Sequence, residues 1–369
     1  MKSASKPHAL VTGFPRLLSR GLSRRWLNEH ATGRVTLLCP PDDHDAAVAF
    51  REALAPPMRE RLHVVIGQPL DTDLGLDRGE ILRVLDETTH VFHTATEQTG
   101  SRAALRRRNV DGVGRLVELA YEMPRLERFA FFSTAFVSGN RTGVIREDDL
   151  DCGQRFRTAF ERTMFDAEMV VRSAMPYLPM TVLRAGSLLG HSRTGEPESV
   201  DDGPTYLVRL LIRMPAELPI PLPGSGVVPL NIVPIDYVIR AGTALAQRPE
   251  AVSRTFHLCD PNPVSARKAF ELLGDVANRP TTFTGRTASR ILQGALRLTG
   301  VAAFAPQTLA LFEALNTHVI YDCSGTLDLL SKSGISCPPF ESYADQLVSW
   351  VARYERSSRS PGSAAPTSA

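Results

Sequence analysis

The sequence predicts an α/β protein: a doubly wound parallel sheet with a smaller, mainly helical C-terminal cap. Short, almost continuously apolar runs recur through the first half of the chain, and each is followed by a segment with helical spacing. Strands alternating with helices of that length form βαβ units, and so a parallel sheet buried on both faces. The chain has 369 residues, more than one core usually holds. From residue 186 onward the alternation loosens and proline becomes frequent, which marks a second lobe.

Ala9-Leu-Val-Thr-Gly13 reads as a buried first strand closed by glycine, and residues 17–30 as the helix after it. Residues 34–39 form a second strand, stopped by Pro40 and Pro41, with 46–54 helical behind it. A third strand covers 62–67, and 81–85 falls in the next helix. A fourth covers 90–95, followed by a long helix over 106–121. The fifth strand is 128–133, then comes a helix at 160–174 and a sixth strand at 180–185. Residues 231–246 return to strand then helix, 254–258 to strand, and the remainder to about 354 is mainly helical. This is a Rossmann-type order, with six or seven strands and the first near the centre. The sheet domain takes 8–190 and 229–258, and the cap takes 191–228 and 259–355. Residues 1–7 read as a flexible start, and 356–369 as a disordered tail without core-forming residues.

Composition excludes several classes. A net charge of +2 gives no field for nucleic acid. Cys39, Cys152, Cys259, Cys323 and Cys337 are scattered, and neither they nor the nine histidines show metal-ligand spacing, so no metal is expected. Free thiols suit a reducing compartment. Residues 1–10 have no apolar core of a secretory signal, and no uncharged run approaches the roughly 20 apolar residues of a membrane span. A cytoplasmic protein is expected.

Motifs narrow the reading. Thr12-Gly13 lies between a strand and a helix. Val91-Phe-His-Thr-Ala-Thr96 ends the fourth strand and is followed by Asn109-Val-Asp-Gly112. Ser133-Thr-Ala135 ends the fifth strand, and Val182-Leu-Arg-Ala-Gly-Ser187 the sixth. In this order they resemble extended short-chain dehydrogenase/reductases of the NAD-dependent epimerase/dehydratase type. Leu74-Gly-Leu76, Asn231-Ile-Val-Pro-Ile-Asp236 and His257-Leu-Cys-Asp260 make the likeness closest to the thioester-reductase and fatty-acyl-reductase branch. The resemblance covers about residues 8–350 and implies an NAD or NADP cofactor and a carbonyl or thioester substrate.

The departures from that pattern are as informative. The resemblance implies Thr-Gly-x-x-Gly-x-x-Gly for the phosphate loop, and this chain has Thr12-Gly13-Phe14-Pro15-Arg16-Leu17-Leu18-Ser19. Arg16 stands where a bare backbone should meet the pyrophosphate, and Pro15 removes an N–H. Arg16 either occludes or grips the phosphates. Ser19 replaces the third glycine. The second strand ends at Cys39-Pro40-Pro41, with Asp42 and Asp43 late for a ribose contact, and Gln68 stands where relatives hold the adenine with Asp. The catalytic Tyr-x-x-x-Lys maps onto Phe160 and Met164, and none of the seven tyrosines has Lys four residues later. Thr134 matches the Ser/Thr that holds the substrate carbonyl. Gly13, Arg16, Ser19 and His93 are the remaining candidates for a degenerate cofactor loop, although a buried structural histidine is the plainer reading of His93. Phe160 and Met164, four apart on a helix, read equally as core. Residues 291–315 suit an acyl pocket, a membrane surface or, more plainly, a buried helix pair. Arg106-Arg-Arg108 reads as a solvated helix start and Lys268 as a solvent-facing side chain.

Three functions fit. The first is a degenerate, non-catalytic relative that binds an acyl or polyketide-like ligand or a partner protein. The second is an active NAD(P)-dependent oxidoreductase with a non-standard proton donor, for which His93 and Tyr206 are the first candidates. The third is a carrier-protein docking module.

Overall fold

The computed structural model describes residues 6–200, 203–213, 220–222, 226–278, 281–283 and 317–359. In chain order the strands are β1 (His8–Thr12), β2 (Arg34–Cys39), β3 (Leu62–Ile66), β4 (His90–His93), β5 (Arg128–Thr134), β6 (Gly143–Ile145), β7 (Met180–Ala185), β8 (Ser187–Leu188), β9 (Ile220–Leu222), β10 (Ile232–Val233), β11 (Arg254–Leu258), β12 (Thr281–Phe283) and β13 (Val319–Tyr321). Seven of them make one sheet in the order β11-β7-β5-β4-β1-β2-β3. Every neighbouring pair is parallel. β1 therefore lies inside the sheet, and the crossover from β1–β3 to β4 opens a crevice at the carboxyl ends of β1 and β4.

The helices are α1 (Leu17–Glu29), α2 (His44–Glu52), α3 (Pro56–Arg59), α4 (Arg78–Glu87), α5 (Arg102–Arg106), α6 (Gly112–Ala120), α7 (Ala159–Ala174), α8 (Gly203–Arg213), α9 (Ile235–Ala246), α10 (Ala266–Ala277), α11 (Ser324–Leu330) and α12 (Ala344–Arg359). One face of the sheet is covered by α1 and α9, whose Leu22, Trp26, Tyr237 and Val238 are buried against Val11 and Phe92. The other is covered by α4, α6 and α7, through Val84, Val113, Leu116, Met164 and Val171. Coverage on both faces explains why the strands read as continuous apolar runs: all residues of β1, β5 and β7 are buried.

The helix expected at 106–121 starts earlier and contains a wide turn. α5 passes through a π-helical turn, Arg107–Asp111, into α6. Such a bulge swings one side chain out of α-helical register. Here it holds Asn109, 2% exposed, whose amide donates to the Glu97 carbonyl at 2.9 Å and to Thr163 Oγ1 at 3.0 Å. Its oxygen accepts from Glu97 N at 2.6 Å, so the segment after β4 is tied to α7.

A third apolar cluster, with Leu207, Val208, Leu211, Phe270, Leu273, Leu347 and Val351, joins α8, α10 and α12. α11 contacts α9 and β11 instead, on the sheet side. Its first amides, Gly325 N and Thr326 N, donate to the Glu147 carboxylate at 3.1 and 3.2 Å, and that carboxylate also accepts from His257 N at 3.0 Å. α12 runs to Arg359, past the boundary drawn at 355. The stretch 291–315 and the tail from 360 lie outside the described residues.

One ion pair is fully inside. Arg184 of β7 meets Glu168 of α7 with Nη2–Oε1 at 2.7 Å, and the two side chains are 1% and 0% exposed. Ser133 Oγ donates to Glu168 Oε2 at 2.9 Å, and Arg172 Nε to Oε1 at 3.0 Å. Burial pushes the Glu168 carboxyl up, but the Arg184 charge and these hydrogen bonds outweigh it and hold the group below the carboxylate range. A buried pair that is fully hydrogen-bonded holds elements in register, and loss of one partner strands the other charge.

Buried histidines make stability depend on pH. Burial lowers His90 to about 3, and His93 and His257 to about 4, from an ordinary 6.5. Between pH 6.5 and about 4 the unfolded chain binds protons that the folded chain does not, so stability is full above that window and falls as pH drops through it. Urea unfolding should show a lower midpoint at about pH 5 than at about pH 7.5. An unchanged midpoint would contradict the neutral, buried assignment.

Candidate ligand-binding site

The crevice is built around the β1–α1 turn. Gly13 has φ +93°, and a Cβ there would collide with Thr94 Oγ1 and meet the Thr94–Ala95 backbone at 2.7 and 2.8 Å. The two strand ends are also stitched together: Thr94 Oγ1 donates to Thr12 O at 2.6 Å, and Thr12 Oγ1 pairs with His93 Nδ1 at 2.8 Å. His93 is 1% exposed, lies face-on to Phe131 with ring centroids 5.9 Å apart, and leaves Nε2 without a partner. A glycine is therefore demanded here by the approach of β4 alone.

The first amides of a helix need an outside acceptor. Arg16, at the cap position of α1, provides no side-chain cap. The acceptor is Glu198, from the connection after β8: its Oε1 accepts from Leu17 N at 3.0 Å and its Oε2 from Leu18 N at 3.2 Å. Both oxygens of one carboxylate thus lie against the helix end, where the macrodipole favours negative charge. Burial pushes the Glu198 carboxyl above its usual range, against the pull of the Arg16 charge and of the two amides. The connection is pinned beside it. Glu196 pairs with Arg20 at 3.3 Å, and Ser192 bonds Asp236 through N at 2.8 Å and Oγ at 2.9 Å. Ser19 is fully buried, with Oγ donating to Arg16 O at 2.8 Å.

A cleft opens beside this turn, walled by Gly13, Arg16, Pro40, Asp43, Gln68 and Arg108 among others. Gln68 Nε2 is committed to the Asp71 carboxylate at 3.0 and 3.2 Å. Arg108 reaches Glu97 at 3.5 Å. The Asp43 carboxyl is pushed up by burial and by Asp42.

Of the positions read from the sequence, the structure brings Gly13 and Arg16 to this one cleft, with Ser19 and His93 buried in the elements behind it. Thr134, Phe160 and Met164 line neither of the two cavities described for this chain. Thr134 caps the 3₁₀ turn at Ala135–Ser138: its Oγ1 accepts from Phe136 N at 3.3 Å and donates to Ala185 O at 3.5 Å. Phe160 is half-buried, and Met164, 1% exposed, belongs to the α4/α6/α7 core. A cation at position 164 would lie among apolar side chains. Tyr206 is exposed on α8. Among the described residues no cluster of His, Cys, Asp and Glu could hold a metal ion.

A second cavity lies between the sheet end and the cap. Its walls include Phe136, Leu189, Leu207, Val208, Leu230 and Phe270, with Arg157, Ser187, Asn231, Thr317 and Tyr321 as polar members. Sequence reasoning gave no role of their own to Glu198, Asn109 and Asn231. Glu198 carries no motif and acts 181 residues away from α1. The one available signal was Arg16 in place of a glycine of the pattern that the chain resembles.

A family model described as "Male sterility protein", of NAD-binding type, matches residues 11–242. The chain is 25% identical over 215 residues to a linear gramicidin synthase polypeptide of Brevibacillus parabrevis, which covers 55% of this chain and 4% of that protein. It is 24% identical over 218 residues to glycine betaine reductase ATRR of Emericella nidulans, 58% of this chain and 17% of that one. The chain thus spans a small part of the length of these two relatives. Among solved structures, the terminal R domain from the myxalamid PKS-NRPS biosynthetic pathway superposes with a TM-score of 0.80, at 23% identity, over 96% of this chain and 92% of that one.

The geometry at Gly13 predicts that Gly13→Ala destabilises the protein whether or not any nucleotide is present. Overpacking against backbone and a positive φ should together cost about 2 kcal/mol or more in chemical denaturation. A variant as stable as the parent would show that the turn relaxes freely.

Proposed function

Because the chain belongs to the male sterility protein family, an extended short-chain dehydrogenase/reductase family with thioester-reductase-like members, we propose that it is a catalytically degenerate member that binds rather than reduces. Its ligand is an acyl or polyketide-like molecule, held in the cavity between the sheet and the cap. The observation that carries this reading is the Glu198 carboxylate on Leu17 N and Leu18 N. That helix end is where the family's cofactor would present its pyrophosphate, and two anions do not share one pair of amides.

Three further features support the reading. Phe160 and Met164 supply neither a proton nor a cation, and general acid catalysis of this kind is worth about 10²–10⁴-fold in rate. The Thr134 hydroxyl is occupied with backbone groups. Gly13, Arg16, Ser19 and His93 remain as a loop with structural duties. Relatives named as a reductase and a gramicidin synthase, and a neighbour from a PKS-NRPS pathway, suggest the ligand class. Five unpaired cysteines suit the cytoplasm, and among the described residues no helix is long and apolar enough to cross a membrane.

A second reading, an NAD(P)-dependent oxidoreductase with a non-standard proton donor, is favoured by the cleft beside Gly13 and Arg16. Titration with NADPH and NADH by calorimetry, together with assays on acyl thioesters, aldehydes and ketones, separates the two. The degenerate reading expects no tight complex and no turnover. A low-micromolar dissociation constant or robust reduction of any carbonyl substrate would replace it with the second.

A further inference from the structure

The apolar walls of the cavity between the sheet end and the cap are almost closed to water: Leu189 is 2% exposed, Val208 1% and Phe270 3%. Walls this closed admit a ligand by moving, and they differ in how they are held. β8 and β10 pair with each other, and beside them Ser187 N donates to Asn231 O at 2.8 Å and Leu189 N to Val233 O at 2.9 Å. β13 pairs with β6. α10 is tied by its first amides, Ala266 N to Val228 O and Arg267 N to Gly226 O, both at 2.8 Å. α8, which supplies Pro204, Leu207 and Val208 to the wall, is the exception. Among the described residues no backbone hydrogen bond joins it to another element.

What holds α8 is packing and charge. Leu207, Val208 and Leu211 share one apolar cluster with Phe270 of α10 and Leu347 and Val351 of α12. Arg209 and Arg213, one turn apart on α8, both donate through Nε to the Glu355 carboxylate of α12: Arg209 to Oε1, and Arg213 to Oε2 at 2.7 Å. Glu355 is 3% exposed, and the Arg209 guanidinium carbon lies 5.8 Å from the Tyr354 ring centroid. Hydrogen bonds between ionised groups are roughly twice as strong as neutral ones, and here both depend on a single carboxylate.

We infer that α8 is the gate of this cavity and Glu355 its latch: an apolar ligand passes when Arg209 and Arg213 leave Glu355 and α8 swings away from α10 and α12. The inference rests on the ligand-binding reading above and adds the element that admits the ligand.

The test follows Nile red, a neutral apolar fluorophore, entering the full chain by stopped flow. A latch that holds the closed form alike with and without ligand sets rates and not affinity. Glu355→Gln should therefore raise the association and dissociation rate constants together, each about tenfold or more, and leave Kd within about twofold. A merely structural loss would weaken Kd instead. Hydrogen exchange on the native chain is the second measurement. α8 amides should exchange faster than those of α10 and β13, and saturating Nile red should slow α8 most. If the variant does not fold, this comparison decides alone. Unchanged rates in the variant, a weakened Kd without faster exchange of ligand, or α8 amides as protected as those of α10 overturn the gate and leave the ligand-binding reading standing. Failure of Nile red to bind at all overturns both.

Discussion

The first amide groups of α1 must be paired, and this requirement organises the crevice. In a dinucleotide fold an anion supplied from solution meets it. Here Glu198 meets it from within the chain, through both carboxylate oxygens. The Arg16 charge acts on Glu198. The connection carrying Glu198 is itself held by Glu196–Arg20 and by Ser192–Asp236, so the cap leans on α1 and α9 through charged and polar contacts.

Several motif residues that match the family's pattern have a mechanical explanation. Gly13 is required by Thr94, and Thr134 closes a turn after β5. Asn109 clamps the segment after β4 onto α7, and Glu168 neutralises Arg184 inside the fold. These residues preserve the scaffold whatever the crevice does. Phe160 and Met164 are apolar, and Met164 packs into the core.

The sheet was legible from sequence because parallel strands covered on both faces must be apolar throughout, and β1, β5 and β7 are buried along their whole length. The π turn at Arg107–Asp111 was not legible, since its apolar spacing is that of an ordinary helix. Nor was the placement of α11 on the sheet side, which depends on a carboxylate, Glu147, far away in the chain. In the site, the losses at 16, 160 and 164 stand out against the pattern the chain resembles. Glu198 does not: it acquires meaning only when distant segments meet, and its residue type is not unusual where it stands.

The claim that Glu198 stands in for a phosphate is tested most directly by inorganic pyrophosphate, followed through the backbone amide resonances of Leu17 and Leu18. The account predicts that millimolar pyrophosphate leaves these resonances in place in the native chain. In Glu198→Ala it should shift them, with affinity raised about tenfold or more, as expected when a charged hydrogen-bonding competitor is removed. Equal shifts at equal concentrations in both proteins would contradict the account, because the helix end would then be open to phosphate with Glu198 in place.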